Sequence, residues 1–131
     1  MRLYRPVGVE ELRLIAESKW RRFPPRLYWQ PIFYPVLTAD YAASIAKEWN
    51  TTDEASGYAG FVTQFDVRDE VAGGYEVHDV GGSASRELWV PAEELEAFND
   101  AIEGVISVIQ VFYGEKFNGR RDPDTDLPVF V

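Results

Sequence analysis

Residues 61 to 67 read Phe61-Val62-Thr63-Gln64-Phe65-Asp66-Val67, and their alternation decides the fold. Phe61, Thr63, Phe65 and Val67 fall on one side of an extended segment and Val62, Gln64 and Asp66 on the other, the period of two that a β-strand imposes. Upstream, residues 50 to 60 are polar and glycine-bearing and read as a loop. Before them Thr38 is placed to cap a helix over residues 39 to 49, in which Tyr41, Ile45 and Trp49 form one stripe with Ala42 and Ala46 beside it. Such a stripe reads as core rather than as a ligand-stacking surface. Residues 32 to 36 read as a short strand that Pro35 confines to a sheet edge or a strand end.

Further upstream, residues 19 to 31 interleave Trp20, Phe23, Tyr28 and Trp29 with Lys19, Arg21, Arg22, Arg26 and three prolines, an irregular loop that serves either as a lid or as a segment pinned by its own aromatics. Residues 9 to 18 place Leu12, Ile15 and Ala16 at helical spacing, with Glu10 and Glu11 in the first turn where the helix dipole favours acids. Residues 3 to 8 read as extended and end at Gly8. Downstream, residues 69 to 74 read as a turn, 75 to 80 as a strand and Gly81-Gly82-Ser83 as a turn, since no helix follows to make it a phosphate loop. Residues 87 to 90 read as a strand stopped by Pro91. A helix starting at Pro91 carries Leu95, Phe98 and Ile102 on its buried side, and residues 105 to 113 are a β-branched strand. There is no internal repeat. Residues 1 to 114 therefore read as one domain, and residues 115 to 131 as a polar tail that docks through residues 127 to 131. The class is α+β with a largely antiparallel sheet.

The chain has 131 residues, 13 Lys+Arg against 22 Asp+Glu, a net charge of −9, one His and no Cys. A chain of this length buries enough surface to form a core without staples. Disulfides, thiolate zinc sites and a cysteine nucleophile are excluded by composition, and a single His78 rules out a multi-histidine metal site. His78 itself, alternating with Glu76 on a half-apolar strand, reads as an exposed or hydrogen-bonded neutral side chain. Glu93, Glu94 and Glu96 read as a solvated helix face, so no metal is expected. No hydrophobic run has the length of a signal peptide or a membrane span, which places the expectation in the cytoplasm and away from membranes. The first 26 residues hold seven bases and three acids, whereas the rest hold six bases and nineteen acids. That balance disfavours duplex nucleic acid as a partner and leaves open a small phosphate-bearing ligand, for which one or two guanidinium groups suffice.

Two local sequences, taken with the order of elements, resemble the ADP-ribosyltransferase fold, and more narrowly the small bacterial proteins often labelled "ADP-ribosylation/crystallin". Leu3-Tyr4-Arg5 is similar to that family's first strand, which ends in Arg or His, and Arg86-Glu87-Leu88-Trp89-Val90-Pro91 is similar to its late strand opened by a Glu. The resemblance implies a mostly antiparallel split sheet with two main helices and one short helix, and transfer of ADP-ribose from NAD, as substrate, to an acceptor that the sequence does not name. It implies that Glu87 is catalytic, stabilising the cationic sugar as nicotinamide leaves, and that Arg5 holds the phosphate and ribose side of NAD. It further implies that Tyr34 or Tyr41 stacks on the nicotinamide, and that Thr38 is the hydroxyl nearest the family's middle Ser/Thr motif. This chain departs from the pattern in having Tyr34-Pro35-Val36-Leu37-Thr38 where a Ser-Thr-Ser run is usual. It also has Ser85 where the arginine-modifying branch has Glu or Gln, which disfavours arginine as acceptor.

Beside these roles stand plainer ones: for Arg5 a surface salt bridge with an acid of the following helix, and for Glu87 an edge-strand charge that discourages aggregation. The alternative functions are a catalytically inactive module that binds NAD, ADP-ribose or a protein, and an acidic protein-interaction domain. The spatial expectation is that Arg5 and Glu87 lie on neighbouring strands of one sheet and face a shared hollow.

Overall fold

The alternating stretch forms the middle of the sheet. A computed structural model describes residues 1–81 and 85–130. In chain order the elements are β1 (Arg2–Val7), α1 (Val9–Glu17), β2 (Ile32–Phe33), α2 (Ala39–Glu48), β3 (Ala59–Val67), α3 (Asp69–Ala72), β4 (Val77–Asp79), β5 (Arg86–Leu88), β6 (Val90–Pro91), α4 (Leu95–Asp100) and β7 (Ile102–Tyr113). Short 3-10 turns occupy Asn50–Thr52, Glu54–Ser56 and Ala92–Glu94. The architecture is α+β, and every strand pair among the described residues is antiparallel: β1-β3-β7, β2-β6 and β4-β5.

β3 is central because both of its faces have something apolar to cover. Phe61, Phe65 and Val67 join Leu3, Val7, Leu12, Ile15, Phe23, Phe33 and Phe98 in the main core. Val62 points the other way and packs with Val36, Ala42 and Ala46. Tilted and edge-to-face contacts among Phe23, Phe33, Phe65 and Phe98 tie the 19–31 loop, β2 and α4 into the core.

Among the described residues, β1 and β5 are joined through Val36. Val36 exchanges two hydrogen bonds with Tyr4 of β1, at 2.7 and 2.9 Å, while its neighbours bond to β5: Leu37 N–H to the Arg86 carbonyl at 3.0 Å and Leu88 N–H to the Pro35 carbonyl at 2.8 Å. The ladder between β1 and residues 34–37 then stops. Backbone N–H groups alternate between the two edges of a strand, so the next residue of β1 aimed like Tyr4 is Pro6, which has no N–H to give. From Arg5 onward, among the described residues, the outer edge of β1 has no strand beside it, and a cleft opens there between α1 and α2.

Several sequence readings are corrected. The strand expected over residues 32 to 36 is split by Pro35 into β2 and the Val36 bridge. Residues 69 to 74, expected as a turn, contain α3, so the described residues hold four α-helices rather than two main ones and a short one. The strand expected over 75 to 80 covers only Val77–Asp79. The strand expected over 87 to 90 is two pieces, and Pro91 pairs with Ile32 instead of ending a strand. Ile102 begins β7 rather than closing α4. The polar stretch 50 to 60 carries two 3-10 turns and the start of β3. Gly82 and Ser83 of the expected glycine turn lie outside the described residues.

The buried stripe of α2 is also not the expected one. Thr38 caps the helix as the sequence suggests, accepting from Tyr41 N–H at 3.2 Å. Yet Ala42 and Ala46 are the buried positions, Tyr41 and Ile45 are half-buried, and Trp49 is 57% exposed. The cause lies in β3: a Cβ placed on Gly60 would stand 2.6 Å from the Ala46 carbonyl oxygen and 2.8 Å from its Cα. Backbone meets backbone there, which only small residues permit, and Ile45 and Trp49 line the cleft while Tyr41 packs beside Val36.

The residues after β7 fold back onto it. Leu127 and Phe130 pack against the core, Arg121 lies over the Tyr113 ring at 4.1 Å, and the Tyr113 hydroxyl donates to the Asp126 carbonyl at 2.7 Å. Burial, then the negative charge of Asp126, pushes Tyr113 up to about 12 from the ordinary 10.0.

Two outcomes follow from this packing. Gly60→Ala is expected to destabilise the protein by about 1–3 kcal/mol, the range for overpacking a filled core, read as a lowered urea midpoint. For Tyr113 the folded state favours the protonated phenol, so its contribution to stability is whole below pH 10.0 and is lost as pH rises toward about 12. Urea midpoints measured across that window should fall more gently for Tyr113→Phe than for the parent protein.

Candidate functional site

The open edge of β1 floors a cleft of about 510 Å³, within the range of small-molecule sites. Its lining includes Arg26 and Gln30 and three groups joined by contacts: Glu87, Trp89 and Tyr34, level with Tyr4 through the Val36 bridge; Arg5 with Glu11; and Asn50, Asp53 and Ser56 with Trp49 before them, set against Gly8 just past the end of β1, so that the first and last groups stand toward opposite ends of that strand.

Glu87 lies on β5, where alternation turns it away from the buried Leu88 and onto the same face as Trp89. Its carboxylate is held from two sides. Trp89 Nε1 donates to Oε1 at 2.9 Å, and the Tyr41 hydroxyl, reaching from the first turn of α2, donates to Oε2 at 3.4 Å. Burial and the neighbouring carboxylate both push the Tyr41 phenol above its ordinary value, which keeps it a donor. Trp89 is in turn flanked by Tyr34, edge-on at 6.0 Å, and by His78, stacked at 3.7 Å and 12°. His78 Nε2 lies 3.4 Å from the Glu76 carboxylate.

Arg5 reaches the cleft floor in a different state from the one the sequence suggests. It is 8% exposed. Its Nε and Nη2 donate to the two oxygens of Glu11, at 2.7 and 3.0 Å, its Nη1 to the Tyr34 carbonyl at 3.4 Å, and its guanidinium rests 4.6 Å above the centre of the Phe33 ring. The salt bridge with an acid of the next helix is therefore present, but inside the protein rather than on its surface. Arg5 and Glu87 share the cleft, yet they are not on neighbouring strands, because residues 35–37 run between β1 and β5.

Tyr34 and Tyr41 both stand at the Glu87 end, Tyr34 as a cleft wall and Tyr41 as a hydrogen-bond donor. Thr38 does not line the cleft; it is the cap of α2.

Sequence reasoning missed five side chains. Arg26 donates through Nε to the Ile32 carbonyl at 3.1 Å, and its terminal nitrogens make no hydrogen bond among the described residues. Burial, and then the charge of Arg5, lowers its pKa from the ordinary value, the mark of two guanidinium groups held close. Its place in an irregular basic loop gave no spacing by which to single it out. At the opposite end Asn50 Nδ2 donates to Ser56 Oγ at 2.9 Å, and that hydroxyl donates to Asp53 Oδ2 at 2.6 Å. Trp49 stands beside them. Its signal was present, since it belonged to the stripe read as core.

Among the described residues no group of three or more His, Cys, Asp or Glu is placed to hold a metal ion, and no helix is long and apolar enough to cross a membrane. No protein-family model, curated protein or solved structure matches the chain.

The Arg5–Glu11 pair makes a sharp prediction. Glu11→Ala strands a buried guanidinium and is expected to cost about 3–5 kcal/mol, whereas Arg5→Met combined with Glu11→Leu, which removes both charges, should cost clearly less. Chemical denaturation of the two variants measures the difference.

Proposed function

We propose that the cleft binds NAD and that the protein transfers ADP-ribose from it, with Glu87 as the catalytic residue of an ADP-ribosyltransferase-like domain. The observation that carries this reading is a carboxylate fixed by two donors, Tyr41 and Trp89, at an aromatic-walled end of a cleft that also holds two guanidinium groups.

The chemistry follows from that end of the cleft. The nicotinamide ring packs against Tyr34 and Trp89. The bond between the sugar C1′ and the ring nitrogen breaks, and its electron pair leaves with nicotinamide. Positive charge spreads over the sugar, and Glu87, already aimed by its two donors, stabilises that charge without reorganising. The lone pair of the acceptor then forms the new bond to C1′, and the proton it loses passes to solvent. The guanidinium available to the pyrophosphate is that of Arg26. Arg5, already committed to Glu11, acts on the floor of the cleft by holding α1 and the Tyr34 backbone in place.

A second reading is binding without turnover. It is favoured by Thr38, which stands nearest the position of the family's Ser/Thr motif but is outside the cleft and used as a helix cap. The two readings separate in one experiment that follows nicotinamide release from NAD chromatographically and NAD binding by calorimetry. Transfer or hydrolysis should show release that falls about 100-fold or more in Glu87→Gln, the scale of losing a preorganised electrostatic partner, while binding persists. Binding with no release in the parent protein selects the module, and no binding overturns both.

A further inference from the structure

The end of the cleft farthest from Glu87 is built, and nothing in the chemistry above uses it. Asn50 is 3% exposed, and its Oδ1 is buried with no hydrogen-bond partner among the described residues. Asp53 spends Oδ2 on Ser56, and its Oδ1 makes no hydrogen bond among the described residues. Trp49 offers an exposed indole beside them. The wall is fixed from below, since a Cβ on Gly8 would stand 2.6 Å from the Ser56 Cα.

Two rulers give the separation of the ends. Tyr41 and Trp49 are eight residues apart on one helical path, which at 1.5 Å per residue is about 12 Å. Tyr4, level with Glu87 through the Val36 bridge, and Gly8, set against Ser56, are four residues apart along the floor, about 13 Å at 3.3 Å per residue. The cleft therefore presents a carboxylate and an aromatic wall at each end, with guanidinium groups between them. That is the sequence of needs of a dinucleotide: ring and sugar, pyrophosphate, sugar and ring.

We infer that Trp49 and Asp53 hold the adenosine half of the ligand, and that Asp53 makes the site select NAD over its 2′-phosphorylated form. The inference rests on the NAD reading of the cleft. Asp53 Oδ1 accepts a ribose hydroxyl, and Trp49 stacks on the adenine. A phosphate on the same ribose brings negative charge against that carboxylate and finds no cation among the residues lining this end. A carboxylate at this position recognises the hydroxyl and rejects the phosphate in one stroke.

Calorimetric titration of the full chain with NAD, NADP and AMP tests this. The parent protein should bind NAD at least about tenfold more tightly than NADP, and Asp53→Asn, which keeps an acceptor for Ser56, should bring the two within about threefold. Trp49→Ala should weaken AMP and NAD alike by about tenfold, the scale of one lost stacking contact. Equal affinity of the parent protein for NAD and NADP overturns the inference by itself, whatever the variants do. A preference that survives Asp53→Asn, or AMP binding indifferent to Trp49→Ala, overturns it as well. Absence of NAD binding to the parent protein is a different result and removes the dinucleotide reading along with it.

Discussion

A single backbone bridge governs the shape of this protein. Val36 pairs with Tyr4, and the ladder goes no further because Pro6 has no N–H to continue it. Had residue 6 carried one, residue 34 could have zipped onto β1 and closed the edge of the sheet. Instead Tyr34 turns away and its carbonyl accepts from Arg5. The space between the diverging segments becomes a cleft with a sheet edge for its floor. A proline in a strand is ordinarily tolerated at an edge; this one makes the edge permanent.

The cleft then needs its walls held apart, and two packing arrangements do this. On one side the Arg5–Glu11 pair anchors α1 to β1 over the Phe33 ring, satisfying a buried charge with a bidentate partner. On the other, Gly60 and Ala46 let α2 lie directly against β3, which leaves Ile45 and Trp49 to line the cleft. Ion pair and small-residue contact thus act on opposite walls. Neither supplies a ligand-binding atom of its own accord, and both decide where such atoms stand.

Much of the framework was legible in the sequence. The alternation of residues 61 to 67, the helical spacing after Gly8 and the Thr38 cap are local signals, and local hydrogen bonding realises them. That Glu87 and Trp89 share a face was equally local, and the indole-to-carboxylate bond is its outcome. What could not be read were matters of partnership across the chain. Which stripe of α2 is buried depends on Gly60, some fifteen residues away, and the periodicity of the helix alone favoured the aromatic one. Whether Arg5 meets a ligand or Glu11 depends on the angle at which α1 leaves β1. The polar groups at the Asp53 end come from two short 3-10 turns that a polar, glycine-bearing stretch does not advertise.

Both ends of the cleft are carried by one helical path, Tyr41 at its start and Trp49 just past its last turn, where Trp49 N–H still bonds to the Ile45 carbonyl. The span is therefore quantised. Inserting or deleting one residue in α2 swings Trp49 by about 100° around the axis, so evolutionary drift in the length of this helix cannot lengthen the cleft by small steps. It can only keep the gauge or break it.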